Sequence, residues 1–160
     1  MYAILDIEAT GGKVGEESII EIAVYKYDGK EIVDQFISLV NPEKKIDQYV
    51  QRLTHISDKM VLTAPKFHEV AKRIVEITDD CILVGHNVMF DYRMLKQEFD
   101  RLGYNYEKEW IDTFEYSEKL IPGLPSYSLG KLCESLGIVV TDRHRASGDA
   151  RATISLFKLL

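Results

Sequence analysis

A chain of 160 residues has the length of one ordinary domain, and its 46% hydrophobic and 29% charged residues exclude a disordered or low-complexity protein. With 26 acidic against 20 basic residues the net charge is −6, which excludes coating DNA through a broad basic face. It does not exclude an enzyme that grips only a strand end, provided cations neutralise an acidic site. No apolar run approaches the ~20 residues of a membrane helix. The first residues, MYAILDIEATGG, lack a basic segment and already carry two carboxylates, so they do not form a signal peptide. A cytoplasmic protein without membrane association is therefore expected. Cys81 and Cys133 show no CxxC spacing and read as buried reduced thiols, not as a zinc site or disulfide framework.

In chain order, residues 2–7 form a short apolar run followed by Gly11-Gly12. Residues 19–27 and 32–40 are β-branched and aromatic, and Asp28-Gly29 between them is a hairpin signal. Three opening strands follow, at least the second and third antiparallel. The polar stretch from Asn41-Pro42 to about residue 64 reads as loop and short helix. After Pro65, the apolar positions Phe67, Val70, Ala71, Ile74, Val75 and Ile77 keep helical spacing. Residues 81–85 (CILVG) predict a fourth, buried strand, and 88–102 a helix ended by Gly103. Residues 110–112 read as a short fifth strand and 113–120 as a short helix. Ser126 or Ser128 is expected to cap the helix LGKLCESL, which Gly137 terminates. A last helix is expected from about Gly148, and the chain stops inside it without a cap. The order βββ-α-β-α-β-α-α predicts an α/β fold with a mixed sheet flanked by helices.

Three groups of residues stand out from this frame. Asp6 and Glu8 end an apolar strand, and the period of two puts both on one face. Adjacent carboxylates repel unless a cation lies between them. Asp91 opens a helix after the segment Gly85-His86-Asn87. His144 and Asp149 lie in RHRASGDARAT, the aspartate in the first turn of the last helix. Taken singly, each has a plain explanation: solvated strand-end acids, a helix-dipole partner worth ~0.3–1 kcal/mol, a loop histidine beside a cap.

Taken together and in this order, Asp6-x-Glu8, His86-Asn87-x-x-Phe90-Asp91 and His144-x4-Asp149 resemble the DnaQ-like 3′–5′ exonuclease family, the histidine-containing branch of the DEDD superfamily. That family includes the proofreading epsilon subunit of bacterial DNA polymerase III. The likeness extends over nearly the whole chain, through Leu53-Thr54-His55-Ile56-Ser57, APKFHEV and LPSYSLGKLCESLGI. It implies a ribonuclease H-like, five-stranded mixed sheet of order 3-2-1-4-5. It also implies that Asp6, Glu8, Asp91 and Asp149 meet at one end of the first strand to hold two divalent cations, Mg²⁺ or Mn²⁺, as hard oxygen ligands suit. By the same resemblance Asp6 bridges the cations, Asp91 acts through the second cation's water shell, and His144 is the general base. Ala9 and Thr10 hold the terminal 3′-hydroxyl, and Leu53 and Thr54 pack against the last base and sugar. Family members usually carry glycine where His55 stands. Phe90 is placed either to stack a base or in the core. Lys13, Arg143, Arg145 and Arg151 are candidate phosphate contacts.

The implied activity is removal of 5′-mononucleotides from the 3′ end of single-stranded DNA, in proofreading or repair, with nucleic acid as partner and a polymerase subunit as a further one. RNA stays open as the substrate, since selection rests on the treatment of the 2′-hydroxyl. A catalytically silent polymerase-docking module is disfavoured, because all four carboxylates and the histidine are present. Residues 1–160 are expected to form a single exonuclease domain, compatible with the N-terminal part of a longer protein.

Overall fold

Strand β1 (Tyr2–Ala9) alternates between two buried faces, and that alternation sorts the helices of the domain. In the computed structural model, which describes all 160 residues, β1 pairs antiparallel with β2 (Ile19–Tyr27), and β2 with β3 (Ile32–Leu39). On its other side β1 pairs in parallel with β4 (Ile82–Gly85), which pairs in parallel with β5 (Trp110–Asp112). The sheet order is β3-β2-β1-β4-β5, the ribonuclease H-like arrangement expected from the sequence.

Ala3, Leu5, Ile7 and Ala9 face one helical layer. It is built by α3 (Phe67–Thr78), through Phe67, Val70, Ile74 and Ile77, and by α4 (Val88–Arg101), through Met94, Leu95 and Phe99. Ile4 faces the other layer, where α7 (Ala146–Leu159) lays Ala146, Ala150 and Ile154 against Ala23, Tyr25, Tyr27 and Val84. Removing the larger of these side chains from water contributes about 1.5–3 kcal/mol each, so burial is the main force that holds both layers. Asp6 and Glu8 share the α7 face with Ile4, at the point where this apolar packing ends.

The segment read as loop and short helix resolves into two helices, α1 (Gln48–Thr54) and α2 (Asp58–Leu62). Their starts are set by side chains: Asp47 accepts the Tyr49 N–H at 2.8 Å and Ser57 the Met60 N–H at 3.2 Å. Helix α5 (Thr113–Leu120) follows β5 directly, capped by Asp112, whose carboxylate also accepts the Asn87 N–H at 2.9 Å. Helix α6 (Leu129–Leu136) begins after Ser128 and ends at Gly137 in the left-handed region, φ +72°. The Ser128 side chain makes no capping bond. Helix α7 starts at Ala146, two residues before the expected Gly148. Gly148 is not a helix opener but a point of close approach. A Cβ there would lie 2.2 Å from the Thr141 carbonyl oxygen and 2.3 Å from that of Asp142.

Candidate active site

Asp6 and Glu8 reach the α7 face from the end of β1, and Asp149 meets them from the first turn of α7. One carboxylate oxygen from each lies within 4.8 Å of the others. Asp6 and Glu8 are half-buried, and Asp149 is buried. Burial pushes the Asp6 carboxyl well above the usual carboxylate range, with Asp91, Glu8 and Asp149 adding repulsion. Glu8 is pushed up to about 8, by burial first and by Asp149 next. Asp6 Oδ2 is buried without any hydrogen-bond partner. An anionic oxygen in that position is costly unless a cation or a proton meets it. The donor set therefore fits a hard divalent cation, with Asp6, Glu8 and Asp149 as its holders.

Asp91 comes from the opposite helical layer. The last parallel pair between β1 and β4 is Ile4 with Val84, and beyond it Asp91 Oδ1 accepts the Ile7 N–H at 2.9 Å. The carboxylate thus continues the sheet's hydrogen bonding where β4 has turned away. Gly85 makes this approach feasible, since a Cβ there would stand 3.4 Å from Asp91 Oδ2 and 3.1 Å from the Val88 side chain. Burial raises Asp91 well above the usual range, the Ile7 N–H opposes that, and Glu8 reinforces it. Asp91 is not among the three clustered carboxylates, but its charge is the strongest acting on Asp6, and its Oδ1 is committed to the Ile7 N–H.

The loop before α7 carries His144. Its φ is +66°, and Asp142 sits at +52°, two non-glycine residues in the left-handed region within three positions. The His144 N–H donates to Asp149 Oδ1 at 3.3 Å, and Arg143 Nη1 donates to the same oxygen at 2.7 Å. Burial lowers the His144 imidazole below its ordinary value, helped by the Arg143 charge and opposed by Asp149. A partly exposed imidazole held neutral beside acidic residues can accept a proton.

The other candidate residues fall into place around this centre. Thr10 is buried: its hydroxyl donates to the Gly11 carbonyl and accepts the Ser18 N–H, closing the base of the β1–β2 loop. Ala9 is buried beside it in the α3–α4 layer. Thr54 is buried at the end of α1, its hydroxyl donating to the Val50 carbonyl at 2.8 Å, while Leu53 is half-buried. His55 ends α1 at φ +61°, a conformation that glycine adopts without strain. Phe90 is half-buried, with the Arg93 guanidinium 5.5 Å from its ring centre. His86 is tied at both ring nitrogens, to Thr113 Oγ1 at 2.8 Å and to the Tyr127 carbonyl at 2.6 Å, which makes it a strut between loops.

Of the four cations expected at phosphates, three are engaged within the protein. Arg143 pairs with Asp149, Arg151 donates to Asp142 Oδ2 at 3.3 Å, and Arg145 forms a two-pronged pair with Glu21. Lys13 is exposed and lines a groove of about 310 Å³ with Lys44 and Lys45, next to Thr10. Glu21 is the residue that the sequence reading passed over. Its only signal is a charged residue in the apolar strand IIEIAVYKY, and it is 3% exposed.

The exonuclease family model RNase_T matches residues 3–157. The chain belongs to this exonuclease family. Its curated relatives include proteins named 3′-5′ exonuclease DinG. That of Staphylococcus saprophyticus subsp. saprophyticus is 36% identical over 156 residues, and that of Staphylococcus aureus (strain USA300) is 36% identical over 159. These matches take in 97% and 99% of the chain but only 17% and 18% of the relatives, so the chain spans under a fifth of their length. Among solved structures, Exonuclease X in complex with 5′ overhanging duplex DNA superposes with a TM-score of 0.80 at 28% identity, covering 99% of this chain and 89% of that one. Exonuclease I, at 20% identity, shares the fold with a TM-score of 0.86, over 99% of this chain and 40% of that one. No helix of this exonuclease-family chain is long and apolar enough to cross a membrane.

Proposed function

We propose that the chain is a divalent-cation-dependent 3′–5′ exonuclease domain that releases 5′-mononucleotides from the 3′ end of single-stranded DNA. The observation that carries this reading is the convergence of Asp6, Glu8 and Asp149, with the Asp6 Oδ2 atom buried and unpartnered among them. Asp6, Glu8 and Asp149 would hold the cations, with Asp91 contributing through the water shell of the second. Two bound Mg²⁺ or Mn²⁺ ions supply charge stabilisation to the attacking and leaving oxygens of an in-line displacement. His144 accepts the proton of the attacking water at its neutral imidazole, the role for which burial and Arg143 prepare it. The half-buried Leu53 and Phe90, with the backbone beside the buried Ala9, Thr10 and Thr54, would form the wall nearest the terminal nucleotide. DNA is favoured as substrate because the Exonuclease X structure, 28% identical, is a DNA complex.

The domain 1–160 belongs, in this reading, within a longer polypeptide, as the exonuclease regions of the staphylococcal relatives do. Two buried free cysteines support a reducing, cytoplasmic setting. The test is digestion of 5′-labelled single-stranded DNA and RNA side by side, with Mn²⁺ or with EDTA. A ladder shortening from the 3′ end only with Mn²⁺, faster on DNA, is expected. Undiminished digestion in EDTA, or products ending in 3′-phosphate, would overturn the reading.

A further inference from the structure

Glu21 and Arg145 are the most completely satisfied charged pair in the domain, and neither is among the groups proposed to hold cations or move protons. Glu21 lies on β2 directly across from Glu8 in the β1–β2 register, so both side chains leave the sheet on the same face. Its carboxylate accepts from Arg145 Nε at 3.0 Å and from Arg145 Nη2 at 2.7 Å, and it also takes the Ala146 N–H at 2.8 Å. Three short bonds thus join the start of β2, level with Glu8, to Arg145 and Ala146 at the start of α7. The next link is within the helix: the Asp149 N–H donates to the Arg145 carbonyl at 3.0 Å. Asp149 is therefore referenced to β2 through Arg145, while Asp6 and Glu8 are held by β1, the adjoining strand.

We infer that the Glu21–Arg145 clamp is a positioning device for the cation site, setting where Asp149 and the His144 loop stand relative to Asp6 and Glu8. This inference rests on the exonuclease reading given above. Arg145 then acts inside the protein and not at a substrate phosphate, and Glu21 acts without touching cation or substrate. A planar guanidinium gripping a carboxylate at two points fixes orientation as well as distance, which a lysine cannot do.

The test uses three variants, R145K, R145M and the double variant E21Q/R145M, each followed by Mn²⁺ titration calorimetry, thermal unfolding and steady-state digestion of single-stranded DNA. R145M leaves a buried unpaired carboxylate and should melt lowest. The double variant removes both charges, keeps an acceptor for the Ala146 N–H, and should regain most of that melting temperature. Even so, its Mn²⁺ affinity and kcat should remain down by about 10–100-fold, the scale seen when groups that orient metal ligands are removed. KM for DNA should stay within about threefold, because α1 and the β1–β2 loop are untouched. R145K, which keeps the charge but not the fork, should fold and fall between wild type and the double variant. Recovery of Mn²⁺ affinity and kcat together with the melting temperature would show a merely structural pair and overturn the inference. A folded wild type that neither binds Mn²⁺ nor digests DNA would instead overturn the exonuclease reading itself.

Discussion

His144 and Asp149 sit five positions apart and touch through one hydrogen bond, yet they should fail in different ways. H144A removes the proposed proton acceptor and leaves every carboxylate in place, so the rate should fall by ~10²–10⁴-fold while Mn²⁺ affinity, read by calorimetry, holds. D149A removes a charge and an oxygen donor, and its first deficit should be Mn²⁺ affinity, with the rate partly restored at high Mn²⁺. Equal loss of metal in both variants would make His144 a ligand and remove it as base. Arg143 gives a third contrast. It is the cation already paired with Asp149, so R143M should lower the thermal stability of the metal-free protein and enlarge the stabilisation that Mn²⁺ provides. A melting temperature equal to wild type in EDTA would show that this pair contributes nothing. These roles were only partly legible in the sequence. The family resemblance of the three motifs taken together singles out Asp6, Glu8, Asp91, His144 and Asp149, whereas Arg145 reads as a phosphate contact because its partner Glu21 lies 124 residues away and no local pattern announces it.

At the scale of elements, the long pieces and the short β5 and α5 are legible in the sequence, whereas α1 and α2 show only as an undivided stretch of loop and short helix. The helix over Phe67–Thr78 and the hairpin at Asp28-Gly29 followed from spacing and turn chemistry. Helices α1 and α2, at 7 and 5 residues, are too short to display a period and are defined by their caps. The start of α7 was misplaced because Gly148 resembles a helix boundary in one dimension. In three dimensions it is the gap through which residues 141–142 pass under the helix. Gly148→Ala should therefore force the His144 loop away from α7. A destabilisation of about 1–3 kcal/mol in urea unfolding is expected, with a loss of exonuclease rate larger than the unfolded fraction accounts for. An alanine variant with wild-type stability and rate would show that the loop has room to spare.

For the whole molecule, the buried acids make stability depend on pH and metal together. The folded-state values of Asp6, Glu8 and Asp91 are raised above those of an unfolded chain, Glu8 to about 8. Between the ordinary carboxylate range and about pH 8, the folded state then binds more protons than the unfolded one, so stability falls as pH rises. In EDTA the melting temperature should accordingly be higher near pH 6 than near pH 8. Saturating Mn²⁺ should flatten or reverse that slope, because the cation takes the place of the protons. A metal-free melting temperature that climbs from pH 6 to 8 would mean that the carboxylates do not share one desolvated site.

In the order of synthesis Asp6 and Glu8 are made before most of the domain, and Asp149 after it. At about 5–20 residues per second this delay is on the order of 10 s. During that interval the emerging chain lacks Asp149 and the last helix, so the three carboxylates cannot yet meet. A cation site divided in this way cannot assemble until the last helix of the domain has been made.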